Sequence, residues 1–278
     1  MAETGSPMGG GEVTIAAVQQ APTGPKKPTG LTALANPTRF LALVKVALPI
    51  VSLLAVLALG IGLWFGLQVP DDYQQGRTVL IMFVHVPAVW LAMGAYIVMV
   101  GGALGVLVWR HPLADVAARA AAPLGAAFTV LGLATGSIWG RPMWNTWWVW
   151  DARLTSFLVL LLIYLGLIAL WRSIEEPATS ARLAAVAILV GFINIPIIKF
   201  SVDWFTTLHQ PASVTRFDAP AVASVFLYPL LIMGLAYLLI FIALHLAAMR
   251  NEILRRQIRT LQRKAARERR AAPAAQGV

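Results

Sequence analysis

A chain of 278 residues that is 59% hydrophobic and 12% charged, with a mean hydropathy of +0.74, is too apolar for a soluble globular domain. It belongs with the polytopic membrane proteins, so its length counts spans rather than globular domains. The formal net charge of +10 is read as charge held near lipid, with no nucleic-acid partner expected, and the absence of cysteine excludes thiol–disulfide chemistry and thiolate ligation.

Residues 1–40 are rich in Ala, Gly, Pro and Thr and have no apolar core of their own, so they are expected to form a disordered extension. Beyond them, runs free of Asp, Glu, Lys and Arg cover 46–70, 78–109, 120–140, 154–171, 183–198 and 219–249. A helix crossing about 30 Å of hydrocarbon needs about 20 mostly apolar residues, which predicts six spans. The first run is too long and too far from the start for a cleaved signal peptide. The expected fold class is an all-α polytopic membrane protein with a six-helix domain over 41–249. A basic amphipathic tail over 250–278 carries Ile253, Leu254, Ile258 and Leu261 between its cations, as a helix held by anionic lipid would.

An even number of spans places both termini on one side. That side carries Lys26, Lys27, Arg39, Lys45, Arg110, Arg119, Arg172, Arg182 and nine basic residues from Arg250 to Arg270. The other holds only Arg77, Arg141, Arg153, Lys199 and Arg216. The short internal loops are nearly balanced, so the tails decide the orientation, and both termini are read as cytoplasmic. The loops at 71–77, 141–153 and 199–218 then face outward.

His85 and His209 fall on this outer side, whereas His111 and His245 lie near inner span ends. The 32 residues from Thr78 to Trp109 would make a helix of about 48 Å, longer than the hydrocarbon core, so His85 can sit at the outer interface. Between these histidines in the chain, Trp139–Ser156 reads WGRPMWNTWWVWDARLTS and packs five of the ten tryptophans into twelve residues. Trp144, Trp147, Trp148 and Asp151 are spaced i, i+3, i+4, i+7, so a short interfacial helix would show three indoles and a carboxylate on one face. Thr155 or Ser156 would cap the span that follows. Two imidazoles facing an aromatic loop are what a six-coordinate haem requires, with Arg141 and Arg153 able to pair with propionates.

Plainer readings stand beside this one. Interfacial tryptophans commonly form an aromatic belt, a lone membrane histidine commonly satisfies a backbone group, and Asp151 with Arg153 can be a surface ion pair. A cytochrome b-like electron carrier, or a permease or scaffold subunit that docks a partner through the loop, also fits the composition. No nucleophile–base pair or carboxylate dyad marks an enzyme.

The tryptophan segment resembles the WWD signature, roughly W-G-x-x-W-x-x-W-x-W-D-x-R-L-T, of the haem-handling proteins of cytochrome c maturation. IMFVHVPAVW around His85 and SVDWFTTLHQ around His209 resemble the two histidine segments of one branch, the haem exporter protein C family. The resemblance covers roughly residues 40–250. It implies haem b bound transiently at the periplasmic face of a bacterial inner membrane, His85 and His209 as axial ligands, and Trp139, Trp144, Trp147, Trp148, Trp150, Asp151 and Arg153 as the platform. It further implies delivery to a periplasmic haem chaperone, with a small single-span subunit and an ATP-binding cassette ATPase and permease as partners. The protein would promote covalent haem transfer without being a conventional enzyme. No Walker motif is present, so ATP hydrolysis would fall to another chain.

Overall fold

The structure, a computed structural model, describes residues 36–211, 213, 214, 216 and 218–271. The expected extension lies outside the described residues up to residue 35, as does the tail beyond Ala271. The described chain is helical, with α1 (Pro37–Leu67), a 3-10 turn (Arg77–Ile81), α2 (Met82–Leu107), α3 (Ala114–Trp144), α4 (Ala152–Ser173), α5 (Pro177–Gly191), α6 (Asn194–Trp204) and α7 (Ser224–Ala271). Among the described residues, six helical stretches are long and apolar enough to cross a membrane, with α5 and α6 together forming the fifth.

Local chemistry sets the ends of these elements. Asn36 accepts a hydrogen bond from the Thr38 N–H at 2.9 Å with Pro37 following it, so α1 starts well before its apolar run and takes Arg39 and Lys45 into the helix. Glu176 caps α5 in the same manner, with Pro177 at the first helical position. The fifth crossing breaks at Phe192–Ile193, because Pro196 has no N–H to return to the Phe192 carbonyl; the Ile195 N–H takes that oxygen at 3.0 Å instead.

The spans pack through small residues. A Cβ on Gly102 would meet the Ala114 carbonyl oxygen at 2.8 Å, and one on Gly105 the Ala114 Cβ at 2.7 Å, so α2 and α3 touch backbone to backbone. Tyr96 and Tyr164 lie edge to face at 5.5 Å in the centre of the core. Their hydroxyls donate to the Ile188 and Ala92 carbonyls at 3.0 and 2.7 Å, which satisfies both groups where water is absent. A Cβ on Gly125 would fall 2.2 Å from the Tyr164 ring. Gly125→Ala is therefore expected to cost about 1–3 kcal/mol through overpacking, measured as a lower thermal midpoint in detergent.

By contrast, α1 packs mainly along α7 and turns Leu53, Val56 and Trp64 outward, 61%, 68% and 65% exposed, as a lipid-facing helix does. At the end that carries the described termini, Phe40, Val44, Leu113, Val116, Met249 and Ile253 form a second apolar cluster. Beside it lies a buried ionic knot. Arg256 pairs with Asp115 and, at 2.9 Å, with Glu252; Arg119 approaches Glu252 at 3.6 Å; Trp171 Nε1 donates to Asp115 at 3.1 Å. The knot ties α7 to α3 and α4.

Candidate functional site

At the opposite end of the bundle, α3 carries the tryptophan segment out of the apolar core. Helix geometry stops at Asn145, which adopts left-handed φ of 58°, and residues 145–151 run on without helix to Asp151. The short interfacial helix expected for Trp144–Asp151 therefore does not form, and no single helical face collects its indoles. The cap also differs from expectation: Asp151, not Thr155 or Ser156, closes α4, its Oδ1 accepting from the Leu154 N–H at 2.7 Å.

His85 and His209 are each set against a tryptophan from the last turns of α3. His85, in the first turn of α2, lies edge-on to Trp139 with ring centres 5.6 Å apart. His209, in the segment between α6 and α7, lies 5.0 Å from Trp144. The Trp139 indole N–H donates to Gln75 at 2.9 Å, which fixes that ring from the neighbouring loop.

Hydrogen bonds set the tautomer of both imidazoles. The Thr135 hydroxyl donates to the Leu131 carbonyl at 2.7 Å, so its oxygen is free to accept from His85 Nδ1 at 3.0 Å. His209 Nδ1 donates to Asp151 Oδ2 at 3.0 Å, and the Thr207 hydroxyl donates to the same oxygen. In both rings the proton sits on Nδ1 and the lone pair on Nε2, the arrangement that histidine metal ligands adopt. Burial pushes the Asp151 carboxyl up, but the bonds from Thr207, Leu154 and His209 outweigh it and hold the group below its ordinary value. Burial also holds His209 below its ordinary value, against the pull of Asp151, so the ring is neutral at pH 7 and its Nε2 can ligate.

Beside His209 lies a shallow cleft walled by Gly136, Gly140, Trp144, Trp148, Asp151 and His209, a wall of which His85 is not a part. Its glycines are spacers. A Cβ on Gly136 would come within 3.0 Å of His85 Cε1, and one on Gly140 within 3.2 Å of the Trp144 ring. The Trp148 indole N–H is buried without a hydrogen-bond partner, a donor available to an acidic group entering the cleft. Trp147 joins the wall and is 59% exposed, whereas Trp150, 74% exposed, stands outside it and packs edge-on against Trp148 at 5.4 Å.

The two arginines each have partners within the protein. Arg153 donates through Nε to Ser201 at 3.2 Å, and its Nη2 reaches the Ile198 and Lys199 carbonyls at 3.5 Å. It braces α4 against α6 and forms no ion pair with Asp151, whose partners are the Leu154 N–H, Thr207 and His209. Arg141 is exposed and bonded to Asn145. His111 and His245 take no part: His111 Nδ1 accepts from the Leu113 N–H in the α2–α3 turn, and His245 stacks on Phe241 at 5.4 Å. Sequence reading missed Thr135, Thr207 and the two glycines; only the position of Thr207 two residues before His209 hinted at a local bond.

A family model described as "Heme exporter protein C" matches residues 30–264. The chain is 63% identical over 229 residues to "Heme exporter protein C" of Bradyrhizobium diazoefficiens, covering 82% of this chain and 87% of the relative. It is 44% identical over 224 residues to the protein of that name from Escherichia coli K12, covering 80% and 89%, and 43% identical over 228 residues to that of Paracoccus denitrificans, covering 82% and 95%. With six apolar spans in place and both matches running through most of the chain, this multi-pass membrane protein belongs to the haem exporter protein C family, the haem-handling components of cytochrome c maturation.

Proposed function

We propose that the cleft beside His85 and His209 binds haem b at the periplasmic face of a bacterial inner membrane and presents it to a membrane-anchored haem chaperone. The observation that carries this reading is the pairing of two histidines, each with Nδ1 bonded to an oxygen acceptor and each against an α3 indole. His85 and His209 would supply the axial nitrogens through Nε2. Trp144, Trp147 and Trp148 would stack on or border the macrocycle, with Trp148 Nε1 donating to a propionate, while Trp139 holds His85 in place. Trp150, on the open side of Trp148, would meet the incoming chaperone, and Asp151 would orient His209. Arg153 would support the site from behind, by fixing α4 to α6.

The chemistry suits delivery rather than storage. Imidazole ligation is reversible, and an open cleft leaves one edge of the cargo accessible to an acceptor; holding both in register is how such a surface would promote covalent transfer without a nucleophile of its own. The six-helix domain over 41–249 would do this within a complex containing a single-span subunit and an ATP-binding cassette ATPase and permease. The excess of Lys and Arg on the terminal side supports cytoplasmic termini.

Because the chain has no cysteine, orientation can be tested with single introduced thiols. Trp150→Cys is expected to react with a membrane-impermeant maleimide in intact cells with the outer membrane opened, and Arg263→Cys only after the inner membrane is broken. The reverse pattern would overturn the placement of the site.

A further inference from the structure

The last helix is far longer than a membrane requires. From Ser224 to Ala271 it runs 48 residues, about 72 Å at 1.5 Å per residue, more than twice the hydrocarbon thickness. Its apolar part ends at Met249, and the next two turns or so are held in the bundle, Met249 and Ile253 by the apolar cluster, Glu252 and Arg256 by the ionic knot with Asp115 and Arg119. From Gln257 to Arg269 every residue is exposed.

This free arm is not uniformly polar. Leu254, Ile258, Leu261 and Ala265 follow a 4-3-4 spacing, the seam of a two-stranded coiled coil, and Ile258 and Leu261 are 55% and 65% exposed. Around the seam stand Arg259, Arg263, Lys264, Arg267 and Arg269 against a single carboxylate, Glu268. Such a surface wants an apolar stripe flanked by acidic side chains.

Distance separates the possible occupants. The only proline in α7 is Pro229, near its other end, so the arm continues the axis of the span instead of turning onto the membrane. Arg259 then lies about 14 Å, and Arg269 about 28 Å, beyond Arg250 along that axis, whereas attraction to anionic headgroups decays over about 8 Å at physiological ionic strength. A second copy of the arm would bring like charges together. We propose that residues 254–269 are a docking helix for an acidic amphipathic helix of a partner protein, on the side of the membrane that holds the chain's termini. The ionic knot makes the helix a rigid extension of the bundle, which lowers the ordering cost of docking. This proposal does not depend on the haem reading.

The test uses the full chain in its native membrane, with a photo-reactive residue at Ile258 or at Leu261 and the adducts mapped by mass spectrometry. The expected result is an adduct on an acidic helical segment of another protein. Its yield should fall at least about tenfold in R259E/R263E/R267E, since like charges across an interface are strongly disfavoured, and should recover when acidic residues of the mapped segment are changed to Lys. An unchanged thermal midpoint of the charge-reversed protein in detergent would show that it is folded. Adducts on phospholipid alone, on a second copy of this chain, or on a segment lacking acidic residues would overturn the proposal, as would no adduct at either position or a yield indifferent to charge reversal.

Discussion

Changing both His85 and His209 to alanine is expected to remove haem from the purified protein and to abolish transfer to the chaperone. Each single change should cut haem content by about tenfold or more, the loss that follows when roughly 1.4 kcal/mol or more of ligation disappears. The two sites should not be equivalent. His85 is held by Thr135 within the packed α2–α3 contact, while His209 depends on a loop and on Asp151, so loss of His209 should also loosen the segment between α6 and α7. Haem content per protein, measured by the pyridine haemochrome method after co-expression with the chaperone, checks the first point, and limited proteolysis of that segment the second. Full haem loading in the double variant would remove both histidines from the ligand set.

The second large effect concerns Asp151, because one carboxylate does two jobs there. Oδ1 caps α4 through the Leu154 N–H, and Oδ2 accepts from Thr207 and His209. Asp151→Ala should lose both, costing about 1 kcal/mol of stability from the cap and about 10–100-fold in haem affinity from the orienting bond. Asp151→Asn separates them. Its amide oxygen can still cap the helix, but its NH2 then faces His209 Nδ1 and favours the tautomer with the proton on Nε2, where the metal would bind. The asparagine variant is therefore expected to keep near-normal thermal stability and to lose as much affinity as alanine. Haem titration with a parallel melting curve checks this; full affinity in the asparagine variant would show that Asp151 is only a cap.

Much of the architecture is readable from charge alone. Six runs without Asp, Glu, Lys or Arg correspond to six helical crossings, because an unpaired charge is expensive in hydrocarbon and its absence marks what lies there. Helix ends are less legible, since capping and proline set them rather than hydropathy. Asn36 and Pro37 start α1 nine residues before its charge-free run, and α7 continues 22 residues beyond its own because a water-exposed helix tolerates Arg and Lys well.

The site is legible as a set of residues and not as a geometry. The tryptophan cluster stands out by density, and His85 and His209 by lying at the same end of the predicted spans. Helical spacing failed between Trp144 and Asp151, because Asn145 takes the left-handed conformation and ends the helix before the pattern can act. The partners of Arg153 are out of reach of a local pattern, since it sits in the first turn of α4 and bonds to Ser201 and two carbonyls in the middle of α6. The Thr135 bond to His85 and the Asp151 bond to His209 join positions 50 and 58 residues apart, beyond the reach of any local pattern.

Axial ligation is the central claim, and the spin state of the bound iron tests it most directly. Absorption and electron paramagnetic resonance spectra should show low-spin, bis-imidazole haem in the wild-type protein. They should show high-spin haem in His85→Gly and His209→Gly, returning to low spin when free imidazole is added to fill the vacated position. High-spin haem in the wild type, or low-spin spectra unchanged in both variants without added imidazole, would contradict it and leave the tryptophan cleft as a docking surface.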